Sequence, residues 1–383
     1  MKKSNIVLII LLLLYPMAII PKEVFFLFSV CILIYLIINN EINLKNKYFQ
    51  LFLFLFLTHI ISSCLYLFLN SDAEISRLLA AFNTAFSWGE IGFLMATSFK
   101  FCDNDFMIKA KRVSFLNLMI IFVLSIIAIY LEKKGTNLQI FGKNLYIDDW
   151  TSNGKGVRLI LFFEYSSLIT FFILINTAIY INKTLCFKNV IVMIIMLFPI
   201  WQSKSRICFL SYFILIILYI IFWCKYRIRN YKIIGSIIIF TLIFFFIFNF
   251  TSTISIFNKI FNMRSSSNLR RFEIYKYSIL KTIKYNPIIG CGIKVEYVDN
   301  IPYGSHSSFI GLFYKLGFVG ITIGFLLVYY IVCDVKKTKN PILFMILFCF
   351  FIIMIFEDLD GTNWVLFYSF LMLRLLLDFN DKN

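Results

Sequence analysis

The chain has 383 residues, of which 61% are hydrophobic and 15% charged, with 47 Phe among them. A soluble domain runs at about 45–50% apolar and about 25% charged, so a soluble enzyme of this composition would leave large apolar patches in water. Disordered, collagen-like and disulfide-scaffold chains are excluded by the same numbers. The charge is one-sided, 37 Lys and Arg against 20 Asp and Glu for a net +17, and the position of these cations decides what they are for.

In chain order, apolar runs long enough for transmembrane helices lie near 5–21, 23–39, 50–69, 78–99, 113–131, 158–181, 189–203, 206–224, 233–250, 307–332, 341–356 and 363–378. The expected fold class is therefore an all-α polytopic membrane protein of about twelve transmembrane helices, one integral membrane domain over 1–383. Its large extracytoplasmic loop, 251–306, contains an amphipathic helix. The first run follows Lys2 and Lys3, but no small-x-small cleavage site succeeds it, so it reads as a retained helix.

With both termini cytoplasmic, cationic loops alternate as the positive-inside rule requires. Lys45, Lys47, Lys109, Lys111, Arg112, Lys183, Lys188, Lys225, Arg227, Lys336, Lys337 and Lys339 fall inside. About half of the cations fall outside, against the rule, and most of these lie in three segments: 133–158, 204–206 and 259–294. Long loops escape the rule, which covers part of the excess. It does not cover Lys204 and Arg206, in a minimal turn between two helices, and cations that oppose insertion point to a use.

Four outer elements follow in order. Arg158 precedes Glu164, which would lie more than one turn inside the sixth helix. A carboxylate at that depth needs a partner or a water-filled cavity, and Arg158, six residues away, is too far for an i,i+4 pair. Arg206 or a cation of the large loop is the expected partner. Next is the turn Trp201-Gln-Ser-Lys204-Ser-Arg206. In the large loop, apolar residues at 269, 272, 279, 280 and 283 share one helical face; the segment should lie in the membrane interface, stopped by Asn286-Pro287 and turned by Gly290-Cys-Gly292. Last comes Gly304-Ser-His306-Ser307. Arg158, Arg206, Arg271 and His306 thus share the outer face. Arg binds phosphate bidentately and stays charged, and a near-neutral imidazole beside fixed guanidiniums is a general-base arrangement. The physical reading is an external anion site that fits a lipid-linked phosphate or diphosphate. His59, mid-span, reads instead as a packed, hydrogen-bonded core residue. Neither cofactor nor metal is expected: there is no CxxC and only two His.

These segments resemble the Wzy-type O-antigen and capsular polysaccharide polymerases, within the superfamily that includes O-antigen ligases. Arg158…Phe163-Glu164-Tyr165 is similar to the family's Arg-then-Phe-Glu-Tyr helix start. Ser203-Lys204-Ser205-Arg206 resembles its Thr/Ser-x-Ser-Arg turn. Arg271 through Tyr275, with Asn286-Pro-Ile-Ile-Gly290-Cys-Gly292, resembles an Arg-x-x-x-aromatic helix followed by Asn-Pro-x-x-Gly-x-Gly. Gly304-Ser-His306-Ser307 through Leu316-Gly317-Phe-Val-Gly320 resembles the His motif. Together they cover roughly 158–320. Ser307 stands where ligases often have Asn, which leans toward polymerase.

The resemblance implies a metal-independent, GT-C-like membrane glycosyltransferase of the cytoplasmic (inner) membrane, its active site on the extracytoplasmic face. It would polymerise undecaprenyl-diphosphate-linked repeat units. Arg206, Arg271 and His306 are the implied catalytic residues. Arg158, Glu164, Tyr165, Lys204, Arg270 and Tyr275 are implied to bind substrate, with Arg271 favoured over Arg270 because Tyr275 then takes the aromatic position. Implied partners are undecaprenyl-diphosphate-linked glycans, membrane lipids, a chain-length regulator and a flippase, and no nucleic acid. The competing readings are an O-antigen ligase acting on a lipid A core, and a lipid-linked oligosaccharide flippase or transporter.

Overall fold

The computed structural model describes residues 3–69, 75–99, 102–151, 154–227, 265–294, 297–298, 301–358 and 363–381. The expected span at 233–250 and the loop segment 251–264 lie outside the described residues. The described chain is mostly helical: α1 (Lys3–Leu12), α2 (Leu14–Ile19), α3 (Lys22–Asn39), α4 (Lys47–Leu69), α5 (Ile75–Ala96), α6 (Asn104–Lys133), α7 (Leu168–Ile181), α8 (Phe187–Gln202), α9 (Arg206–Arg227), α10 (Ser265–Tyr285), α11 (Ser308–Lys337), α12 (Pro341–Phe356) and α13 (Asn363–Asp381). Among the described residues α4, α6, α9 and α11 are long and apolar enough to cross a membrane. Shorter apolar helices, including α7, α8 and α12, pack among them. Many large apolar side chains on the helix exteriors are exposed, Ile61, Phe68 and Phe325 among them. In water such surfaces would aggregate; the chain is a membrane-embedded protein.

The centre of the bundle is α7. Every residue from Leu168 to Ile181 except Tyr180 is buried, as expected of a helix apolar on all sides. Polar contacts gather at the two ends. At one end Lys47 Nζ lies 3.0 Å from Asp334 Oδ2, joining the start of α4 to the end of α11. There too the Asn340 amide donates to Asn182 Oδ1 at 2.7 Å, and the Phe99 N–H donates to Asp378 at 2.7 Å. This end carries Lys109, Lys183, Lys336 and Lys337, cations that the charge pattern places inside. The opposite end gathers the starts of α7, α9 and α11, the end of α12, and α10.

Three expectations change. The first span is two helices, broken at Leu13. The segment after α6 is built of short antiparallel ribbons, so the fold is not wholly α. Besides the short pair β1 (Glu41–Ile42) and β2 (Thr97–Ser98), β3 (Gln139–Ile140) pairs with β4 (Lys143–Asn144), and β5 (Tyr146–Thr151) with β6 (Gly154–Leu159). The sixth helix does not begin at 158. Arg158 lies in β6 opposite Ile147, and a turn over 160–167 precedes α7. That turn is held by Leu145 O, which accepts from Ile160 N at 3.0 Å and Leu161 N at 2.8 Å, while Leu161 and Phe162 take positive φ. The apolar run is longer than one helix because it also contains a buried turn.

Candidate functional site

Phe163-Glu164-Tyr165 sends three side chains to three destinations. Phe163 is buried and stacks on Trp364, ring centroids 5.3 Å apart. Glu164 takes Lys143 Nζ at 3.2 Å and the Trp364 indole N–H at 3.5 Å. Its partner is therefore a cation of the β3–β4 ribbon, not Arg206 or the large loop; in a turn rather than inside a helix, Glu164 meets its nearest neighbour at the surface. The Tyr165 hydroxyl donates to the backbone oxygen of Asp358 at 3.0 Å.

Helix α10 presents two faces. Leu269, Phe272, Ile279, Leu280 and Ile283, the apolar stripe of the sequence, are all exposed. The buried side carries Ile274, Ser278 and Thr282, with Arg271 and Tyr275 half-buried. Ser278 Oγ accepts from Gly304 N at 2.7 Å, and the Tyr275 hydroxyl donates to His306 O at 2.6 Å. Small hydroxyl residues let α10 approach the His306 loop while its apolar stripe faces outward. Arg270 is exposed and Arg271 turns inward.

The convergence point is Glu357, just past α12. Arg271 Nη2 lies 3.3 Å from its Oε1, and Arg271 Nη1 donates to Phe356 O at 3.2 Å, meeting the negative end of that helix. Ser167, at the start of α7, donates to Glu357 Oε2 at 3.2 Å. Ser308, at the start of α11, donates through Oγ to Glu357 O at 2.9 Å. The Arg158 charge also acts on Glu357. Burial pushes the Glu357 carboxyl up, opposed by Arg271, Ser167 and Arg158. Beside it, Asp358 Oδ2 takes Lys294 at 2.8 Å, while Oδ1 is buried and accepts no hydrogen bond from the described residues.

Arg206 opens α9, after the turn Ser203-Lys204-Ser205 in which Lys204 has φ +53. One short step along α9, Cys208 Sγ lies 3.9 Å from Ser167 O, which sets the start of α9 beside the Ser167–Glu357 pair. The helix starts at α7, α9 and α11 turn their positive dipole ends to this region. His306 sits at φ +64 directly before α11, a conformation rare outside glycine. Its pKa is pushed down to about 4, first by burial and then by Arg271 and Lys294, against Asp358. At neutral pH it is an uncharged imidazole able to accept a proton.

Two of the glycine motifs clasp each other. Helix α11 is interrupted at Gly317 (φ +57), where Phe318 and Val319 do not donate back into the helix. Phe318 N donates to Pro287 O at 2.8 Å and Val319 N to Ile288 O at 3.1 Å. The released carbonyls are taken in return: Cys291 N donates to Tyr314 O at 2.8 Å and Gly292 N to Lys315 O at 2.9 Å. Gly290 (φ +75) leaves no room for a Cβ, which would meet the Leu316 nitrogen at 2.5 Å. From α4, the fully buried His59 gives its Nε2–H to Gly292 O at 3.1 Å, the structural role expected of it. The clasp ties the end of α10 to α11, and so fixes Arg271 relative to His306.

Arg158, Tyr165, Arg271, Tyr275 and His306 thus meet around Glu357 and Asp358, with Arg206 at the adjoining helix start. Glu164 belongs to the rim. Glu357, Asp358, Lys294 and Ser167 were not singled out from the sequence; the signal available was an acidic pair in a short connector between two apolar spans on the cation-rich face. Among the described residues no group of three or more His, Cys, Asp or Glu is placed to hold a metal ion.

In class, this is a membrane-embedded helical protein with a cationic site at one end of its bundle. A family model described as O-antigen ligase matches residues 191–325, from α8 into α11. The match spans Arg206, Arg271, His306 and the glycine clasp, and supports the O-antigen ligase/polymerase superfamily and glycan transfer of that kind. No curated protein matches the chain.

Proposed function

We propose that the chain polymerises undecaprenyl-diphosphate-linked oligosaccharide repeat units on the outer face of the cytoplasmic membrane. The growing glycan passes from its lipid diphosphate to a sugar hydroxyl of an incoming unit. The bond from the anomeric carbon to the diphosphate oxygen breaks as the bond to the acceptor oxygen forms. His306 takes the acceptor proton, and Arg206 and Arg271 carry the charge that grows on the leaving diphosphate. Arg158 steadies Arg271 through their shared counter-ion Glu357, and Tyr275 holds the His306 backbone. Lys204 and Arg270 add positive charge at the approach, and Tyr165 and Glu164 shape the wall.

The observation that carries this reading is the convergence of Arg271, paired with Glu357, and His306, whose backbone Tyr275 of the same helix holds, where three helix starts meet. The test mixes purified protein with lipid-linked repeat units, without nucleotide sugar or added metal, and resolves the products on a gel. A ladder supports the reading; unchanged substrate, with transport of the same lipid in vesicles, overturns it.

A ligase that moves finished glycan onto a lipid A core uses the same chemistry and is equally compatible with the family match. Ser307 after His306 favours the polymerase. A deletion separates them: loss of a polymerase leaves single-repeat glycan, whereas loss of a ligase strands long glycan on its carrier lipid.

A further inference from the structure

Asp358, in the connector after α12, has no part in the chemistry above. Its backbone is fixed. The Tyr165 hydroxyl donates to Asp358 O at 3.0 Å, and Ser308 donates to the preceding carbonyl from N at 3.2 Å and from Oγ at 2.9 Å. Oδ2 takes Lys294 at 2.8 Å, and the charge of Lys315, buried on α11, acts on the same carboxylate. Oδ1 is buried, and no described residue donates to it. A buried acceptor left open costs free energy, so its presence asks for a role.

That oxygen lies over the first turn of α11. A Cβ at Gly311 would stand 2.9 Å from Gly304 O and 3.7 Å from Asp358 Oδ1. The His306 loop and Asp358 therefore close on the same bare stretch of helix. The loop is pinned on both sides of its histidine. Gly304 N donates to Ser278 Oγ at 2.7 Å, His306 O accepts from Tyr275 at 2.6 Å, and Ser307 Oγ accepts from Ile310 N at 3.4 Å. The imidazole alone is left to turn, and among the described residues it has no hydrogen bond. Three charged groups act on it: Arg271 from α10, Lys294 from the segment after the clasp, and Asp358. Arg271 is engaged by Glu357 and Phe356 O. Of the three, Asp358 alone favours the protonated ring.

We propose that Asp358 is the positioning residue of His306, its Oδ1 accepting the ring N–H that points away from the acceptor sugar. The inference rests on the glycan-transfer reading and deepens it, by giving its base an orienting partner. One ring nitrogen is then fixed as a donor, and the other turns its lone pair to the acceptor hydroxyl. As the acceptor oxygen bonds to the anomeric carbon, its proton passes to that second nitrogen. Asp358 keeps its charge and steadies the imidazolium without taking a proton. Hydrogen bonds of this kind tighten when substrate fills the site.

The test uses the full chain in lipid bilayers, with isotope-labelled histidine rings and undecaprenyl diphosphate added at neutral pH. The chain has two histidines, so solid-state NMR shows two pairs of ring nitrogens, and the pair lost in His306→Ala belongs to His306. The native protein should hold His306 in a single tautomer with a hydrogen-bonded N–H, and Asp358→Asn should show both tautomers. In the ladder assay Asp358→Asn should lower kcat by about 10²–10⁴-fold, the worth of a positioned general base, with KM for the lipid donor near its native value. Both tautomers in the native protein, the same single tautomer in Asp358→Asn, or a raised KM with kcat kept would overturn the proposal. Should Asp358→Asn not fold, the native protein still decides, through a dipolar contact between the His306 N–H and a labelled aspartate carboxyl carbon; its absence overturns the assignment. The spectra need no turnover. A tautomer that depends on Asp358 without a ladder loses the transfer reading alone, and a ladder with a tautomer indifferent to Asp358 loses the Asp358 assignment alone.

Discussion

His306, Arg271 and Glu357 form one electrostatic unit, and their consequences differ. Removing a preorganised charge-stabilising donor costs about 10²–10³ in rate. Arg206→Ala, Arg271→Ala and His306→Ala should each abolish long chains while leaving single repeats and membrane insertion intact; normal chain length in all three would remove them from the site. The His306 proton has a predictable sign. With its pKa near 4, the base is already deprotonated through the neutral range, so the acid limb of kcat/KM should fall near pH 4 rather than near 6.5. Lys294 lowers that pKa, and Lys294→Met should move the limb to higher pH, which a pH profile of ladder formation reads directly. The same shift gives a stability term. The folded state resists protonation of His306 between about pH 6.5 and 4, so acid through that window destabilises the fold. Glu357→Ala would leave the half-buried Arg271 without its carboxylate and should lower the thermal unfolding temperature in detergent. Glu357→Gln keeps the shape and should retain more of the thermal stability while still losing transfer.

At the scale of elements, the glycine clasp is the device on which the site depends. Gly290 and Gly292 combine positive φ with backbone at near contact, and Gly317 sits where α11 breaks. Gly135, also at positive φ, faces open space. Gly135→Ala should therefore cost only the local conformational penalty, about 1–2 kcal/mol. Gly290→Ala and Gly317→Ala force backbone apart and should cost well above that, seen as a large fall in the unfolding temperature in detergent. These motifs were legible in the sequence as turn signals. That they meet was not, because the exchange of four hydrogen bonds joins segments whose separation in the chain carries no local signature. The stripe of α10 shows the converse. Its residues were legible, and their exposure agrees with a helix lying on a membrane surface. Phe272→Trp should be quenched by brominated lipid; an unquenched, water-like emission would count against that placement.

At the scale of the molecule, cations and their carboxylate partners gather at both ends of the bundle. At the Lys47–Asp334 end Lys337–Asp334 and Lys109–Asp105 lie at the surface, while Arg374–Asp378 is buried. Cations at the other end pair with buried or half-buried acids, as Arg271–Glu357 and Lys294–Asp358 do. If the bundle crosses the membrane as proposed, cysteine placed at Asn137 should be labelled by an impermeant reagent in intact cells, and cysteine at Thr338 only after permeabilisation. Labelling at both positions, or the reverse order, would overturn the sidedness.

The sequence by itself determined the solvent and the raw materials. Apolar runs of membrane length depend only on composition along the chain, as does the excess of cations, and the Arg and His residues of the site could be picked out one by one. Tertiary structure decided which of them meet. It moved Glu164 to the rim by replacing the first turns of a helix with a ribbon and a buried turn. It also brought in Glu357 and Asp358, acids in a connector with no periodicity to mark them. A half-buried arginine needs a counter-ion wherever the fold can bring one, and that choice is made by packing between distant segments, which no local pattern of residues records.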